Sequence, residues 1–133
     1  MSKENPIIMV VEDETLLLQA IARKLELSDV RTVTCASGAQ AVDYLQNMGD
    51  NTDLPDAIWL DYHLKDMDGL AFMKALKEDE VLSRLPVFVI SNSASPEKVS
   101  NMLALGAKKY MLKAEYRLDD LVEEIKGFIL QES

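Results

Sequence analysis

Short apolar runs alternate along this chain with stretches whose apolar residues recur every three or four positions. Ile7 to Val11 (IIMVV) contains no polar position and stops abruptly at Glu12-Asp13, the pattern of a strand buried on both faces. In TLLLQAIARKLEL, Leu17, Ile21 and Leu25, flanked by Leu18 and Ala22, form one helical stripe. Arg31 to Cys35 (RTVTC) is a less apolar strand and is expected at a sheet edge. Ser37 with Gln40 makes a capping box that opens a helix through AVDYLQNM, with Gly49 placed to close it.

The second half repeats the pattern. Ala57 to Leu60 (AIWL) is a third strand that ends on Asp61, and Asp68 can cap a helix through GLAFMKALKED. Pro86 opens a fourth strand, PVFVI, which ends on Ser91. Ser95 followed by Pro96 places a cap and then proline at the first helical position, and this helix closes near Gly106. A fifth strand, KKYML, ends on Lys113. The last helix carries Leu118, Leu121, Val122, Ile125, Phe128 and Ile129 on one face, and Asp119 and Asp120 suit the positive end of its dipole. Five strands alternating with five helices predict an α/β fold, a doubly wound parallel sheet covered on both faces. The first, third and fourth strands are the most apolar and belong in the centre, which suits the order 2-1-3-4-5.

Composition narrows the function classes. With 133 residues, 48% hydrophobic and 28% charged, the chain fits a single domain over residues 1–133 with one core system. A net charge of −9 opposes non-specific nucleic-acid binding, because phosphates would be repelled. No apolar run is long enough to span a bilayer, and the opening MSKENP lacks a signal peptide's apolar core. The single cysteine, Cys35, leaves no internal disulfide and fits a reducing compartment, so a cytoplasmic location is expected.

Chemistry is expected where ligands gather in such sheets, at the carboxyl ends of the strands near the switch point. Those ends read Glu12-Asp13, Asp61, Ser91 and Lys113. Three carboxylates brought together repel, and a hard divalent cation relieves them; Mg2+ accepts a few carboxylates while leaving positions for phosphate oxygens. A carboxylate can also act as nucleophile and form an aspartyl phosphate. Asp61 stands alone at the end of a central strand, which points to it as the nucleophile, with Glu12 and Asp13 as the metal clamp. Lys113 and the Ser91 hydroxyl can stabilise charge on the transferring group.

VVEDE after the first strand, LDYHL after the third, ISNS after the fourth and GAKKYMLK through the fifth occur in an order and spacing that resemble the receiver domain of two-component response regulators. The resemblance covers essentially the whole chain and is similar in extent to the single-domain chemotaxis type. Its flavodoxin-like strand order is that of the chemotaxis regulator, so order and resemblance are one expectation rather than two. The resemblance implies a Mg2+-dependent phosphorylation switch fed by a sensor histidine kinase or phosphotransfer protein. It implies Asp61 as phospho-acceptor, Glu12 and Asp13 as metal ligands, and the backbone carbonyl of His63 as a further ligand. Ser91 matches the switch hydroxyl, Lys113 the lysine and Tyr110 the switch aromatic. Together these would remodel the surface of the fourth helix, fifth strand and last helix for a downstream protein target.

Two positions depart from the family pattern. Ala114 follows Lys113 where proline is usual, commonly after a cis bond; before a non-proline that bond costs roughly 3 kcal/mol, so a trans or strained loop is expected. Lys65 replaces a frequent proline, which predicts a more mobile loop. The His63 imidazole has no second histidine or cysteine beside it to share a metal; its expected effect is on water attack at the acyl phosphate. Aligning Asp66-x-Asp68-Gly69 with a calcium loop puts Leu64 and Ala75 at ligand positions, which excludes that reading; Asp68 reads as a cap and Asp66 as solvent-facing. A flavodoxin-like nucleotide binder is disfavoured because Glu12-Asp13-Glu14 would repel phosphate. A receiver-like interaction module independent of phosphorylation is the alternative that Ala114 keeps open. Mixed charges on the last helix and fifth strand are compatible with a monomer and permit a dimer. Both a stand-alone regulator and a domain of a longer protein fit the chain.

Overall fold

The computed structural model describes residues 5–48 and 53–132. Strands β1 (Ile7–Val11), β2 (Arg31–Cys35), β3 (Ala57–Asp61), β4 (Val87–Ser91) and β5 (Lys109–Leu112) pair in parallel in the order β2-β1-β3-β4-β5. Between and after them run α1 (Thr15–Leu27), α2 (Gly38–Met48), α3 (Gly69–Lys77), α4 (Pro96–Ala104) and α5 (Leu118–Glu132). This is the doubly wound sheet and strand order expected from the pattern. Every residue of β1, β3 and β4 is buried, whereas β2 and β5, at the edges, are partly exposed.

Successive strand residues feed two separate cores, because side chains alternate across a strand. Met9, Val11, Ile58, Leu60, Val87 and Val89 pack with Ala41, Leu45, Phe72, Met73, Leu76 and Met102 from α2, α3 and α4. Ile8, Val10, Ala57, Trp59, Phe88 and Ile90 pack on the opposite face with Ile21 and Leu25 of α1 and Leu121, Val122, Ile125 and Ile129 of α5. Leu118 and Phe128 of the expected α5 stripe are only partly buried, and Phe128 meets Phe88 edge-on with ring centroids 5.2 Å apart.

Caps account for several helix ends. The Asp68 and Ser95 side chains accept from the amides of Ala71 and Lys98, at 2.9 and 3.1 Å. Ser37 Oγ accepts from Gln40 N–H, but the Gln40 side chain reaches back to Ala36 N–H rather than to the cap residue. α4 ends in a left-handed Gly106 (φ 106°), with Ala107 N–H bonding Met102 and Gly106 N–H bonding Leu103. α1 ends in the same motif with Asp29 at φ 64°, where no glycine marks the stop. Gly49 lies outside the described residues.

Three boundaries differ from expectation. β4 starts at Val87 because Pro86 has no N–H to give; its carbonyl accepts from Ile58. β5 starts at Lys109, because the Lys108 amide is used to tie the strand entrance to Val87. α3 stops at Lys77 because the Asp79 carboxylate turns to the amides of Val81 and Leu82, starting a short 3-10 turn at Leu82–Arg84.

Candidate functional site

The parallel register brings the carboxyl ends of the central strands level: Val11 pairs with Leu60, Asp61 with Ile90 and Ser91 with Leu112. The chain therefore delivers its polar strand-end residues to one edge of the sheet. Glu12, Asp13 and Asp61 each offer a carboxylate oxygen within 4.8 Å of the others. Glu12 and Asp61 are buried and Asp13 is partly exposed, so the cluster opens to solvent on the Asp13 side. Lys113 Nζ lies 3.4 Å from Glu12 Oε1 and 3.7 Å from Asp61 Oδ1.

One ammonium does not balance three carboxylates. Burial, then the neighbouring Glu12, pushes the Asp61 carboxyl up to about 6, although Lys113 and the His63 backbone N–H pull it down. The cluster thus demands more positive charge than the protein supplies. Oxygen-only donors, two of them buried and one facing solvent, match the needs of a hard divalent cation that keeps several waters. By that measure Glu12, Asp13 and Asp61 fit Mg2+.

Local hydrogen bonds fix the donors. Glu12 Oε2 accepts from the Glu14 amide at 3.0 Å, and Asp13 Oδ2 accepts from the Lys65 amide at 2.6 Å. The Lys65 loop was expected to be mobile for want of a proline. Instead it is tied down: besides this bond, Leu64 N–H donates to Met67 carbonyl, and His63 bridges Asp68. A proline at 65 could not make the bond to Asp13. Asp66 is likewise not merely solvated. Its two oxygens accept from Gly38 and Ala39 at 3.0 and 2.8 Å, so it caps α2 from a loop 28 residues downstream. Gly38 makes that approach possible, since a Cβ there would lie 2.5 Å from the Met67 side chain.

Ser91 is fully buried, and its Oγ accepts from Ser93 N–H at 3.2 Å. Tyr110 is half-buried; its hydroxyl donates to the Ser93 carbonyl at 2.7 Å, and its ring lies 6.1 Å from that of Tyr62. Tyr110 and Ser91 therefore meet through Ser93. The His63 ring is exposed, edge-on to Tyr62 and 3.4 Å from Ser93 Oγ. Ser93 and Lys98, which both contact His63, carry no signal in the sequence because a serine in a loop and a lysine on a helix are commonplace there.

The peptide between Lys113 and Ala114 is trans, as every described peptide is, and Lys113–Glu115 forms a 3-10 turn. Cys35, at the end of β2, is buried with its thiol pushed up to about 11 and stands outside the cluster. A surface cleft of about 770 Å3 lies elsewhere, between β5 and α5, with Lys109, Tyr116, Asp120 and Glu124 on its walls. A smaller cavity of about 160 Å3 is lined by Trp59, Ile90, Lys113 and Tyr116.

The family model of the response regulator receiver domain matches residues 8–126. Two-component response regulator ARR17 of Arabidopsis thaliana is 29% identical over 131 residues, covering 92% of this chain and 84% of the relative. Transcriptional regulatory protein PrrA of Mycobacterium tuberculosis is 31% identical over 125 residues, covering 94% of this chain and 50% of the relative, so the chain spans half of that protein. Among solved structures, the phosphorylated cyanobacterial phytochrome response regulator RcpA superposes with a TM-score of 0.81 at 28% identity, over 97% of this chain and 96% of that one. The receiver domain of Francisella response regulator 1452 has the same fold, with a TM-score of 0.82 at 24% identity over 97% of this chain and 100% of that one.

Proposed function

The chain belongs to the response regulator receiver domain family, a class of phosphorylation-based signalling switches, and from that premise we propose that Asp61 is its phospho-acceptor. The observation that carries the reading is the meeting of Glu12, Asp13 and Asp61 within 4.8 Å, with Lys113 at 3.7 Å from Asp61. An Asp61 oxygen attacks the phosphorus of a phosphohistidine on a sensor kinase or phosphotransfer protein. The P–N bond breaks, its electron pair leaves with the imidazole, and an acyl phosphate remains on Asp61.

Glu12, Asp13, Asp61 and the His63 carbonyl would hold Mg2+, which when bound neutralises charge on the phosphoryl oxygens. Lys113 offers its ammonium to the same group, and Ser91 turns its hydroxyl toward it, leaving Ser93 N–H. Since Ser93 also accepts from Tyr110, that turn reaches the aromatic and biases the surface of α4, β5 and α5, where a downstream protein partner would dock. The product is a changed surface, and the only reactions catalysed are the protein's own phosphorylation and dephosphorylation. No helix among the described residues is long and apolar enough to cross a membrane, which is compatible with a cytoplasmic switch of single-domain extent, 1–133.

The test is to add acetyl phosphate with Mg2+ and follow intact mass and Trp59 fluorescence. A labile phosphate adduct that is absent in Asp61→Asn supports the reading. Mg2+ binding with neither an adduct nor a surface change would favour a phosphorylation-independent interaction module instead.

A further inference from the structure

A group outside the carboxylate cluster fastens the loop after Asp61 to the loop after Ser91. Lys98, half-buried in the first turn of α4, places its Nζ 5.1 Å from the Tyr62 ring centroid, 3.3 Å from His63 Nε2 and 3.4 Å from Ser93 Oγ. An ammonium has protons to give and no lone pair, so in this contact Nε2 is the acceptor and the ring proton sits on Nδ1. Ser93 Oγ lies 3.4 Å from the same nitrogen, which closes a triangle of side chains. Among the described residues Lys98 belongs to no ion pair. A half-buried lysine ordinarily ends on a carboxylate or in water; here the charge is held by a π face, an imidazole and a hydroxyl.

The triangle abuts the reacting groups. The His63 backbone N–H is directed at the Asp61 carboxylate, and Ser93 N–H donates to Ser91 Oγ. The His63–Ser93–Lys98 triangle is thus joined by backbone to both Asp61 and Ser91, and none of its three side chains belongs to the carboxylate cluster.

We propose that Lys98 is a positioning residue that sets the lifetime of the phosphoryl group on Asp61, by holding the His63 ring and the Ser93 hydroxyl across the route of attacking water. The proposal rests on Asp61 phosphorylation. In hydrolysis a bond forms from the water oxygen to phosphorus while the bond from phosphorus to the Asp61 oxygen breaks. The electron pair returns to the carboxylate, and the water's protons leave with phosphate and solvent. Water must arrive in line with the breaking bond, so side chains pinned across that approach slow it. Without the ammonium the ring and the hydroxyl lose their shared donor and turn away.

The test charges the full chain with acetyl phosphate and Mg2+, removes the donor, and follows loss of the adduct by intact mass in the parent, Lys98→Met, Lys98→Ala and Lys98→Arg. Methionine keeps the stem against Tyr62 and removes only the charge. Lys98→Met and Lys98→Ala are expected to shorten the half-life roughly two- to tenfold, the span that one or two ordinary hydrogen bonds support. Lys98→Arg should stay near the parent, and His63→Ala with Lys98→Met should decay no faster than the faster single variant. Beryllofluoride binds without hydrolysis, so its affinity should not change in Lys98→Met. A parental half-life in Lys98→Met, multiplying effects in the double variant, or a joint loss of lifetime and beryllofluoride affinity would overturn the proposal. A parent that forms no adduct would instead sink the phosphorylation of Asp61 itself, and this inference with it.

Discussion

The backbone N–H of Lys65 donates to Asp13 Oδ2 over 2.6 Å, fixing one metal-ligand candidate from the loop that follows the nucleophile candidate. Lys65→Pro removes that donor, whereas Lys65→Ala keeps it. The proline variant should lose about 1 kcal/mol of stability and bind Mg2+ more weakly, with the alanine variant close to the parent. Urea midpoints with and without Mg2+ decide this; equal behaviour of the two variants would show that the amide bond contributes nothing measurable.

Although Lys113 pairs with it, Asp61 gives the protein a pH dependence opposite to that of a carboxylate whose folded-state value is lowered. Burial first, then Glu12, raises it from 3.8 to about 6, so the folded chain holds the proton more tightly than the unfolded one. The native state binds more protons across that window, and the contribution to stability falls as pH rises from 3.8 to about 6. Asp61→Asn should therefore be more stable than the parent at pH 7, by about 1–2 kcal/mol after allowance for solvent screening. The gain should shrink to nothing below the unfolded-state value of 3.8. Thermal melts of both proteins across this range provide the comparison.

Mg2+ should raise the melting temperature of the parent, because binding to the folded cluster stabilises by about 1.4 kcal/mol at tenfold excess over the dissociation constant. Glu12→Gln, Asp13→Asn and Asp61→Asn should each reduce the rise. An equal rise in all four proteins would place the ion elsewhere.

Asp66→Ala should destabilise by about 1 kcal/mol, the cost of a lost helix cap, although residue 66 is exposed and far from α2 in sequence. Burial is the largest single effect and opposes ionisation, but the amides of Ala39, Gly38, Asp66 and Met67 together outweigh it and hold this carboxyl below its ordinary 3.8. Its contribution is thus present above 3.8 and lost as pH falls through the lowered folded value. Urea midpoints of parent and variant should converge in strong acid.

The fold was legible because strands buried on both faces leave uninterrupted apolar runs, and edge strands do not. The strand-end residues Glu12, Asp13, Asp61 and Lys113 were legible for the same reason: a parallel sheet puts every strand's carboxyl end on one side. What stayed hidden depends on loop geometry that local patterns do not encode. Asp66 was read as solvated because its two donors lie on another helix. Asp29 ends α1 in the left-handed region that glycine usually signals. Lys98 and Ser93 join the site's rim only because α4 folds back over Tyr62.

The sheet also decides what an optical probe can see. Trp59, the only tryptophan, packs in the core shared with α1 and α5 and lines the small cavity beside Lys113 and Tyr116. Its two sequence neighbours point through the opposite face: Ile58 and Leu60 pack with α2, α3 and α4. Its emission is therefore a one-sided gauge, sensitive to a shift of Lys113 or α5 and screened by a layer of strand from repacking confined to α4. A tryptophan introduced at Tyr110 or Leu105, which pack against the α4 side, would give the complementary signal. The order in which the two signals change after phosphorylation would tell which face of the sheet moves first.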